Sequence, residues 1–372
     1  MNKELKKILS CDRFLSAISE KIEANERITL LEGLELYQSH NLPALALLAN
    51  EKRKRINGNF VFFNKNFHLE PTNICVHNCK FCSYRRNIND ADAWDYSINE
   101  MLEICKKHYT EDISEIHIVG GVHPNHDLDF YCNLVAEIRQ LFPAIHIKAF
   151  TAVELDYMIK NSNLTFYEGL LKLKKAGLNS IPGGGAEIFD SKVRAQICHH
   201  KSSTNTWLEI HETAHQLGIT SNASMLFGHI ETYFHRLNHL ETLRKLQDKT
   251  HGFNAFIPLK YKQLNNSISE IGEINDIDVL KNFAVSRIFL DNILHIKSYW
   301  PMLGKNLARF ALHFGADDMD GTIDDSTKIY SMAGSEEQNP SMTTDEMVKF
   351  IKDAGFTPVE RDSLYNKLNV FE

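Results

Sequence analysis

The sequence predicts an α/β protein built as a (β/α)8 barrel of the TIM type, with a helical extension before it and a closing segment after it. From about residue 60 onward, short apolar stretches that suit strands alternate with amphipathic stretches that suit helices. Such alternation indicates a parallel sheet, and seven or eight units in about 260 residues agree with the usual barrel length. The alternative is a doubly wound open sheet. Its Gly-x-Gly-x-x-Gly stretch after the first strand is missing here.

Residues 1–58 are predicted to form the N-terminal helical extension. Phe14, Ile18 and Ile22 repeat every fourth residue, as they would on one face of a helix. Thr29 and Glu32 have the spacing of a capping box, in which two side chains close the first turn of a helix. No residue of this region indicates chemistry, so we expect it to pack on the main body.

Residues 59–334 hold the predicted barrel units. The predicted strands are Phe67–Asn73, Glu115–Gly120, His146–Thr151, Leu178–Pro182, Thr220–Phe227, Phe253–Pro258 and Ile293–Lys297, with a weaker eighth near Ala316–Asp320. The predicted helices include Ile98–His108, Leu128–Leu141, Tyr167–Ala176, Thr206–Leu217, Phe234–Leu246, Asp278–Asp291 and Gly304–Phe314. Residues 335–372 form the closing segment, with a helix from about Thr344 to Ala354.

The composition is that of a globular protein without a nucleic-acid partner. Lys and Arg number 41 against 48 Asp and Glu, and the resulting net charge of −7 lacks the cationic excess that phosphate backbones attract. The N-terminus shows no signal peptide. The longest apolar run, residues 42–49, is far shorter than the ~20 residues of a membrane span. We therefore expect no membrane association and a cytoplasmic location.

Three cysteines on one short loop carry the clearest chemical signal. Cys75, Cys79 and Cys82 have C-x3-C-x2-C spacing, whereas the other four of the seven cysteines are scattered. Thiolates are the usual ligands of iron–sulfur clusters, and three of them leave one iron of a [4Fe–4S] cluster without a protein ligand. Zinc would need a fourth ligand, for which His77 inside the loop is awkwardly placed. An odd number of cysteines without a secretory signal argues against a disulfide framework.

This cysteine spacing, with Phe81 before the last cysteine, resembles the signature loop of the radical S-adenosylmethionine enzymes. In that superfamily the open iron binds S-adenosylmethionine, and an electron from the cluster cleaves it to a 5′-deoxyadenosyl radical. The resemblance implies a [4Fe–4S] cluster and S-adenosylmethionine as cofactors, and an electron donor such as flavodoxin or ferredoxin. The alternative from another class is an iron–sulfur electron-transfer protein, whose cluster normally has four protein ligands.

The resemblance also implies cofactor contacts, most of them directly after predicted strands. Gly120 and Gly121 match the stretch that binds the methionine amino group, although the usual acidic third residue is Val122 here. Glu187, after three glycines, is expected at the ribose hydroxyls; a glycine hinge before a helix is the structural alternative. Further cofactor contacts are expected from the backbone of Phe81, from Met225, and from Gly228 and Glu231 of the Gly-x-x-Glu stretch.

Five stretches together are similar to the aminofutalosine synthases, which are radical enzymes of the futalosine route to menaquinone. They are Glu-Pro-Thr-Asn-Ile-Cys, His-Ile-Lys-Ala-Phe-Thr-Ala-Val-Glu, Pro-Gly-Gly-Gly-Ala-Glu-Ile, Gly-His-Ile-Glu and Ala-Asp-Asp-Met-Asp-Gly-Thr. The similarity implies addition of the adenosyl radical to 3-[(1-carboxyvinyl)oxy]benzoate, with rearrangement and loss of a carboxylate, to give 6-amino-6-deoxyfutalosine. Parts of it are shared with dehypoxanthine futalosine cyclase, which is the alternative within the superfamily.

A substrate with two carboxylates needs cationic or hydrogen-bonding partners. Arginine suits this role because its planar fork bonds a carboxylate twice. The first candidates are Arg85 and Arg86, just beyond Cys82. The others, all near predicted strand ends, are Asn73, His77, Lys148 and His229. Asp317, Asp318 and Asp320 lack the glutamate that completes a calcium loop. We expect them to cap the barrel at its eighth strand.

Overall fold

The structure, a computed structural model, describes residues 8–9, 12–323 and 328–372 of the chain. The strands are β1 (Phe60–Asn64), β2 (Asn66–Leu69), β3 (Glu115–Ile118), β4 (His146–Ala149), β5 (Ser180–Ile181), β6 (Thr220–Phe227), β7 (Phe253–Lys260), β8 (His295–Ile296), β9 (Asp318–Gly321), β10 (Thr357–Arg361) and β11 (Lys367–Val370). The helices are α1 (Arg13–Ala24), α2 (Leu30–Gln38), α3 (Leu42–Asn57), α4 (Ile98–His108), α5 (Leu128–Leu141), α6 (Ala152–Asn161), α7 (Phe166–Ala176), α8 (Ser191–Cys198), α9 (Thr204–Gln216), α10 (Tyr233–Thr250), α11 (Asp276–Phe289), α12 (Trp300–Leu303), α13 (Lys305–Leu312), α14 (Ile329–Met332) and α15 (Thr344–Asp353). Within these described ranges, no helix has the length and apolar character needed to cross a membrane.

Seven strands, β2 to β8, form a curled parallel sheet and pair in the order in which they occur along the chain. The predicted barrel-type α/β class is confirmed. The register is continuous on the first three strands, where Phe67 pairs with Ile116 and Ile116 with Ile147. These three side chains are fully buried. Because successive strand residues point to opposite faces, the residues between them face the other side of the sheet.

The eighth predicted strand is present as β9, but it belongs to a second sheet. That sheet has the order β11-β10-β1-β9, and the sequence predicted neither β1, β10 nor β11. A bridge between Lys297 and Asp318 links β9 to the end of β8, and Lys65 alone separates β1 from β2. The second sheet therefore lies across the gap between β2 and β8. The predicted closing helix is present as α15.

The N-terminal helices pack on the helical layer outside the barrel. At the start of α2, the Glu32 carboxylate accepts the N–H of Thr29 at 2.8 Å, and Thr29 caps the helix in return. The predicted capping box is therefore present. Helix α3 lies against α11, and the buried Tyr37 hydroxyl donates to Asn282 at 2.6 Å. The predicted domain boundaries at residues 58 and 334 stay a prediction.

Two buried ion pairs join β9 to its neighbours. Asp317, just before β9, pairs with Arg287 of α11. Asp318 accepts a hydrogen bond from Nε of Arg361 on β10 at 2.6 Å. All four side chains are at most 1% exposed, and charges at such depth are tolerated only when they are paired. The aspartates at the eighth strand therefore attach β9 to helix α11 and to β10 through arginine.

Candidate active site

The cysteine loop, residues 75–82, leaves the C-terminal end of β2 and is held by backbone hydrogen bonds from two other segments. The N–H of Val76 donates to the carbonyl of Val122 at 2.9 Å, after β3. The N–H of Lys80 donates to the carbonyl of Ile197 at 2.8 Å, near the end of α8. Protein contacts alone thus define much of the shape of this loop.

The three cysteines of the loop are free thiols, and Cys79 is buried. Burial raises the pKa of Cys79 to about 12, although the ammonium of Lys201 opposes this shift. Burial also raises the pKa of Cys75. Iron binds the thiolate form, so the charge of the metal has to stabilise the anions at this site. Three thiols within eight residues fit a [4Fe–4S] cluster with one iron left open.

A cavity opens at the C-terminal ends of the strands, beside the cysteine loop. It holds about 1270 Å³ of empty space, its open mouth included. Its lining includes Phe81, Cys82, Gly183, Gly184, Gly185 and Glu187 from the cysteine loop and the segment after β5, the wall residues Tyr299, Met302 and Tyr330, and His68, His117 and Asp320 on β2, β3 and β9, which we name the floor. The cysteine loop and the ends of several strands thus face one shared cavity.

Gly120 and Gly121 let the turn after β3 pack against the start of the cysteine loop. A Cβ at residue 120 would lie 2.8 Å from the carbonyl oxygen of Thr72, and one at residue 121 would overlap the carbonyl of Ile74. The N–H of Gly121 donates to Thr72 at 2.7 Å. Gly120 also lines the cavity, whereas Gly121 is not among the lining residues. Close backbone approach explains both glycines.

Glu187 lines the cavity, and a lysine that sequence reasoning missed lies beside it. Nζ of Lys201 is 2.5 Å from Oε1 of Glu187 and 5.5 Å from the ring centroid of Phe81. Burial lowers the pKa of Lys201, but the Glu187 carboxylate and Cys79 outweigh burial and raise it. The lysine is therefore charged. No motif marked it in the sequence, because it follows α8 in a short polar stretch without a recognisable pattern.

The end of β6 presents different residues from those predicted at adenine. Met225 is fully buried and lies outside the cavity lining, whereas its neighbours Ser224 and Leu226 line the cavity. Beyond the strand, Glu231 accepts the N–H of Gly228 at 2.6 Å. Neither Gly228 nor Glu231 is a lining residue. This carboxylate closes the turn after β6.

The substrate candidates near the cysteine loop do not line the cavity. Their side chains form hydrogen bonds with residues of the segment that follows the loop. Arg86 holds the carboxylate of Asp92 at 2.7 Å. Asn73 donates to the backbone carbonyl of the same aspartate at 3.0 Å. Arg85 donates to the Asn87 side chain at 2.6 Å. These bonds brace the segment that follows the loop.

The other three substrate candidates also lie outside the lining of the cavity. Lys148 is buried and lies 2.5 Å from the carboxylate of Glu115. His229 lies 3.1 Å from Glu231, with no exposed side-chain surface. Burial lowers the pKa of His77 to about 4, so its imidazole is neutral. The structure does not bring the six predicted substrate residues together.

His68 and His117 at the floor of the cavity, which sequence reasoning missed, belong to a row of polar residues that continues into the protein with the predicted Lys148. His68 on β2 pairs in register with His117 on β3, which pairs with Lys148 on β4 and then Ser180 on β5. Residues in register on neighbouring parallel strands share a face, so the row faces the barrel interior. The signal was the strict alternation of polar and apolar residues along β2, β3 and β4.

Outside the cavity, Asp95, His123 and His126 bring three potential ligand atoms within 4.8 Å of one another. Nε2 of His123 and Nε2 of His126 lie 3.4 and 3.3 Å from the carboxylate. Nδ1 of His123, however, accepts the N–H of Asn125 at 3.2 Å. Since Nδ1 accepts this hydrogen bond, Nε2 is left to donate to the Asp95 carboxylate, and the contact is explained without a metal ion.

Comparison with known proteins agrees with this geometry. A model of the radical SAM superfamily matches residues 69–243, and a model of the CofH/MqnC C-terminal region matches residues 250–372. The chain is 42% identical to the aminodeoxyfutalosine synthase of Thermus thermophilus, over 97% of this chain and 98% of that protein. It is 39% identical to the aminodeoxyfutalosine synthase of Streptomyces coelicolor, over 95% and 94%. It is 33% identical to the cyclic dehypoxanthine futalosine synthase of the same organism, over 96% and 90%.

The fold is also found in solved structures. The crystal structure of methylornithine synthase superposes with a TM-score of 0.73 at 16% sequence identity, and the match covers 92% of this chain and 97% of that one. Identity at that level concerns the fold alone, whereas the near full-length identity of 42% concerns the family. The chain belongs to the radical SAM superfamily and, within it, to the family that contains the aminodeoxyfutalosine synthases.

Proposed function

We propose that the protein is an aminodeoxyfutalosine synthase. It joins the 5′-deoxyadenosyl group to the methylene carbon of 3-[(1-carboxyvinyl)oxy]benzoate, and rearrangement with loss of a carboxylate gives 6-amino-6-deoxyfutalosine. The observation that carries the proposal is the shared cavity, in which Phe81 and Cys82 of the cysteine loop face the same space as the polar floor. The identity of 42% to a synthase of this name supports the choice of reaction.

The chain's own residues hold and orient the cofactors. When bound, the [4Fe–4S] cluster and S-adenosylmethionine supply the 5′-deoxyadenosyl radical. Cys75, Cys79 and Cys82 bind the cluster. Glu187 accepts hydrogen bonds from ribose hydroxyls, and Lys201 beside it provides the cation for the methionine carboxylate. Lys201 lies over Phe81 of the cysteine loop, and Glu187 shares the cavity lining with Phe81 and Cys82, so both side chains would be in reach of a cofactor held at that loop.

The wall of the cavity that Tyr299, Met302 and Tyr330 form shields the reaction from water. The two tyrosine rings lie 5.0 Å apart. Aromatic and thioether side chains pack well on an arene. Excluding water protects a reactive intermediate from side reactions. The wall therefore holds the substrate ring and keeps the site dry.

The reducing electron comes from a protein donor such as reduced flavodoxin or ferredoxin, in a compartment that keeps thiols reduced. Lys80 is exposed within the cysteine loop, and Val76 is 40% exposed, so the loop reaches the surface where a donor can approach. The free thiols of the described residues agree with a cytoplasmic location, because that compartment is reducing.

The proposed reaction is tested by product analysis under anaerobic conditions. Reconstituted protein receives dithionite, S-adenosylmethionine and the enol ether, and products are separated and weighed by mass spectrometry. We expect the adenosylated product and methionine, without lasting 5′-deoxyadenosine. Accumulation of 5′-deoxyadenosine without an adduct would refute the proposal and favour a cyclase-like hydrogen abstraction.

A Cys79→Ala variant checks that turnover depends on the cysteine loop. We expect no product, because two thiolates do not hold the cluster. Cys105→Ala is the matched control, since Cys105 is also a buried thiol but lies on α4. The control should retain turnover, and product from Cys79→Ala would contradict the assignment.

A further inference from the structure

The polar floor of the cavity is unusual for a barrel interior, which branched aliphatic side chains normally fill. Two buried ion pairs lie near the two histidines. Lys148 pairs with Glu115 at 2.5 Å, and Lys297 pairs with Asp320. Burying four charges has a high desolvation cost, and apolar residues of similar size would often be as stable. Such a floor indicates a ligand with polar groups.

His117 has an unused hydrogen-bonding atom at this floor. It lines the cavity, and its Nε2 is buried without a hydrogen-bond partner among the described residues. Buried polar atoms are nearly always bonded in native proteins. On the next strand, Nε2 of His146 lies 2.7 Å from the Ser180 hydroxyl. His117 thus combines a place in the cavity lining with a ring nitrogen that has no partner among the described residues.

The surroundings of His117 suit an anion. Burial lowers its pKa well below the ordinary value, so the ring is neutral, and its Nε2–H tautomer can donate a hydrogen bond without adding a charge. The ring of His68 lies edge-on to it, with centroids 4.6 Å apart. The charged groups that act on it are Lys148, Glu115 and Asp320. Each of these charges is already balanced by an ion-pair partner, so an arriving carboxylate does not meet an uncompensated negative charge.

The depth of His117 selects which end of the substrate it meets. Gly120, on the cofactor side, follows it by three residues, a distance of roughly 10 Å along an extended strand. The enol ether has to lie near the cysteine loop, where the adenosyl group is generated. The carboxylate on the arene is at the other end of the substrate and therefore points toward the floor.

We propose that His117 binds the arene carboxylate of the substrate, with His68 fixing the orientation of its ring. The ligand class is an aryl carboxylate that enters with its acidic end first. This inference rests on the proposed function and deepens it, because it assigns one of the two substrate carboxylates to a named side chain. It also explains why polar residues lie at the floor of the cavity.

The test compares His117→Leu with the unaltered protein on two substrates. One is the full enol ether and the other is its analogue without the arene carboxylate. A hydrogen bond to a charged group lost in a buried site corresponds to a rise in KM of roughly 10- to 100-fold for the full substrate. We expect kcat to change little. On the analogue, the variant and the unaltered protein should have similar KM values.

His146→Gln is the matched control, because His146 is a half-buried strand histidine outside the cavity lining. It should leave KM for the full substrate unchanged. If His117→Leu does not fold, His117→Gln replaces it; its amide donor should hold KM within a few-fold of that of the unaltered protein.

Two results would overturn the inference: an unchanged KM for the full substrate in His117→Leu, or an equal rise on both substrates, which indicates a packing role. In the case that only His117→Gln folds, a large rise in the KM of that variant has the same meaning. Failure of the proposed function looks different, because the unaltered protein then forms no adduct from either substrate.

Discussion

Lys201 lies among a carboxylate, an aromatic ring and a cysteine thiol. Its ammonium is 2.5 Å from Glu187, lies over Phe81, and lowers the pKa of Cys79. An ammonium in this position favours both thiolate at the cysteine loop and a carboxylate on a bound cofactor. One side chain thereby connects the cluster site with the cofactor site.

Lys201→Met should weaken cofactor binding. Loss of a charge-assisted hydrogen bond costs about 1.5–3 kcal/mol, which corresponds to roughly a 10- to 150-fold rise in KM for S-adenosylmethionine. Initial rates at a saturating concentration of enol ether measure it. Lys192→Met, at an exposed position on α8, is the control and should behave like the unaltered protein. An unchanged KM in Lys201→Met would contradict the role of this lysine.

Site residues that belong to short local motifs were predictable from the sequence, whereas site residues that depend on contacts between distant segments were not. Cys82 and Glu187 were predicted and line the cavity, because their positions follow from local motifs at strand ends. Arg86 was predicted for substrate, but it meets Asp92, six residues later. Nearness to a strand end does not tell whether a side chain finds a local partner. His117 was missed because its role depends on the neighbouring strands.

At the scale of elements, the turn after β3 packs against the backbone just before the cysteine loop and supports the loop there. Gly121→Ala should displace that loop, because the new Cβ would overlap the carbonyl of Ile74. Misplacing catalytic groups by about 1 Å reduces activity by about 10²-fold. Iron content after reconstitution and rate are the measurements, and both should fall while the helical content stays the same.

The control for Gly121→Ala is Gly355→Ala. Gly355 has φ of +83°, and a Cβ there meets nothing within 4 Å. The control therefore has backbone strain without contact with the loop, and its iron content should be normal. Normal iron content and rate in Gly121→Ala would show that the cysteine loop does not depend on this contact.

The ion pair between Asp318 of β9 and Arg361 of β10 stabilises the second sheet. Arg361→Leu leaves the carboxylate of Asp318 buried without its partner. Breaking a buried pair from one side costs about 3–5 kcal/mol. Urea unfolding of the two proteins measures the difference. Adding Asp318→Asn should restore part of the stability, because it removes the unpaired charge, whereas a loss below about 1 kcal/mol in Arg361→Leu would contradict this role.

The alternation of strands and helices was readable from the sequence, but the pairing of the outer strands was not. Residues 60–69 contain two strands in series, β1 and β2, which enter different sheets. Lys65 alone separates the two strands, and only β2 was predicted within the stretch. The partners of β1 are β9 and β10, which lie more than 250 residues further along the chain. Pairing over that separation leaves no local pattern.

At the scale of the whole molecule, buried neutral histidines set the response to acid. The chain has 18 histidines. Burial lowers the pKa of His68 to about 4 and that of His239 to about 3, and it lowers that of His211 well below the ordinary value. The unfolded chain takes up these protons near pH 6.5, whereas the folded protein does not. Acid therefore favours the unfolded state already below about pH 6.5.

The free energy of unfolding should fall between pH 7 and pH 5, before carboxylates titrate. Each such histidine contributes a loss of up to about 1.4 kcal/mol per pH unit below its unfolded pKa. Urea midpoints at pH 7, 6 and 5 measure the fall. In His239→Gln the free energy of unfolding should depend less steeply on pH, because one fewer proton is taken up on unfolding. Equal midpoints at pH 7 and pH 5 would contradict the neutral state of these side chains.

The open iron beside the cavity is tested most directly by electron paramagnetic resonance of the reconstituted, reduced protein. Spectra are recorded before and after S-adenosylmethionine is added, without substrate. We expect a clear change, because three cysteines leave one iron for the amino and carboxylate groups of the cofactor. Identical spectra with and without the cofactor would contradict an open iron and favour a cluster that only transfers electrons.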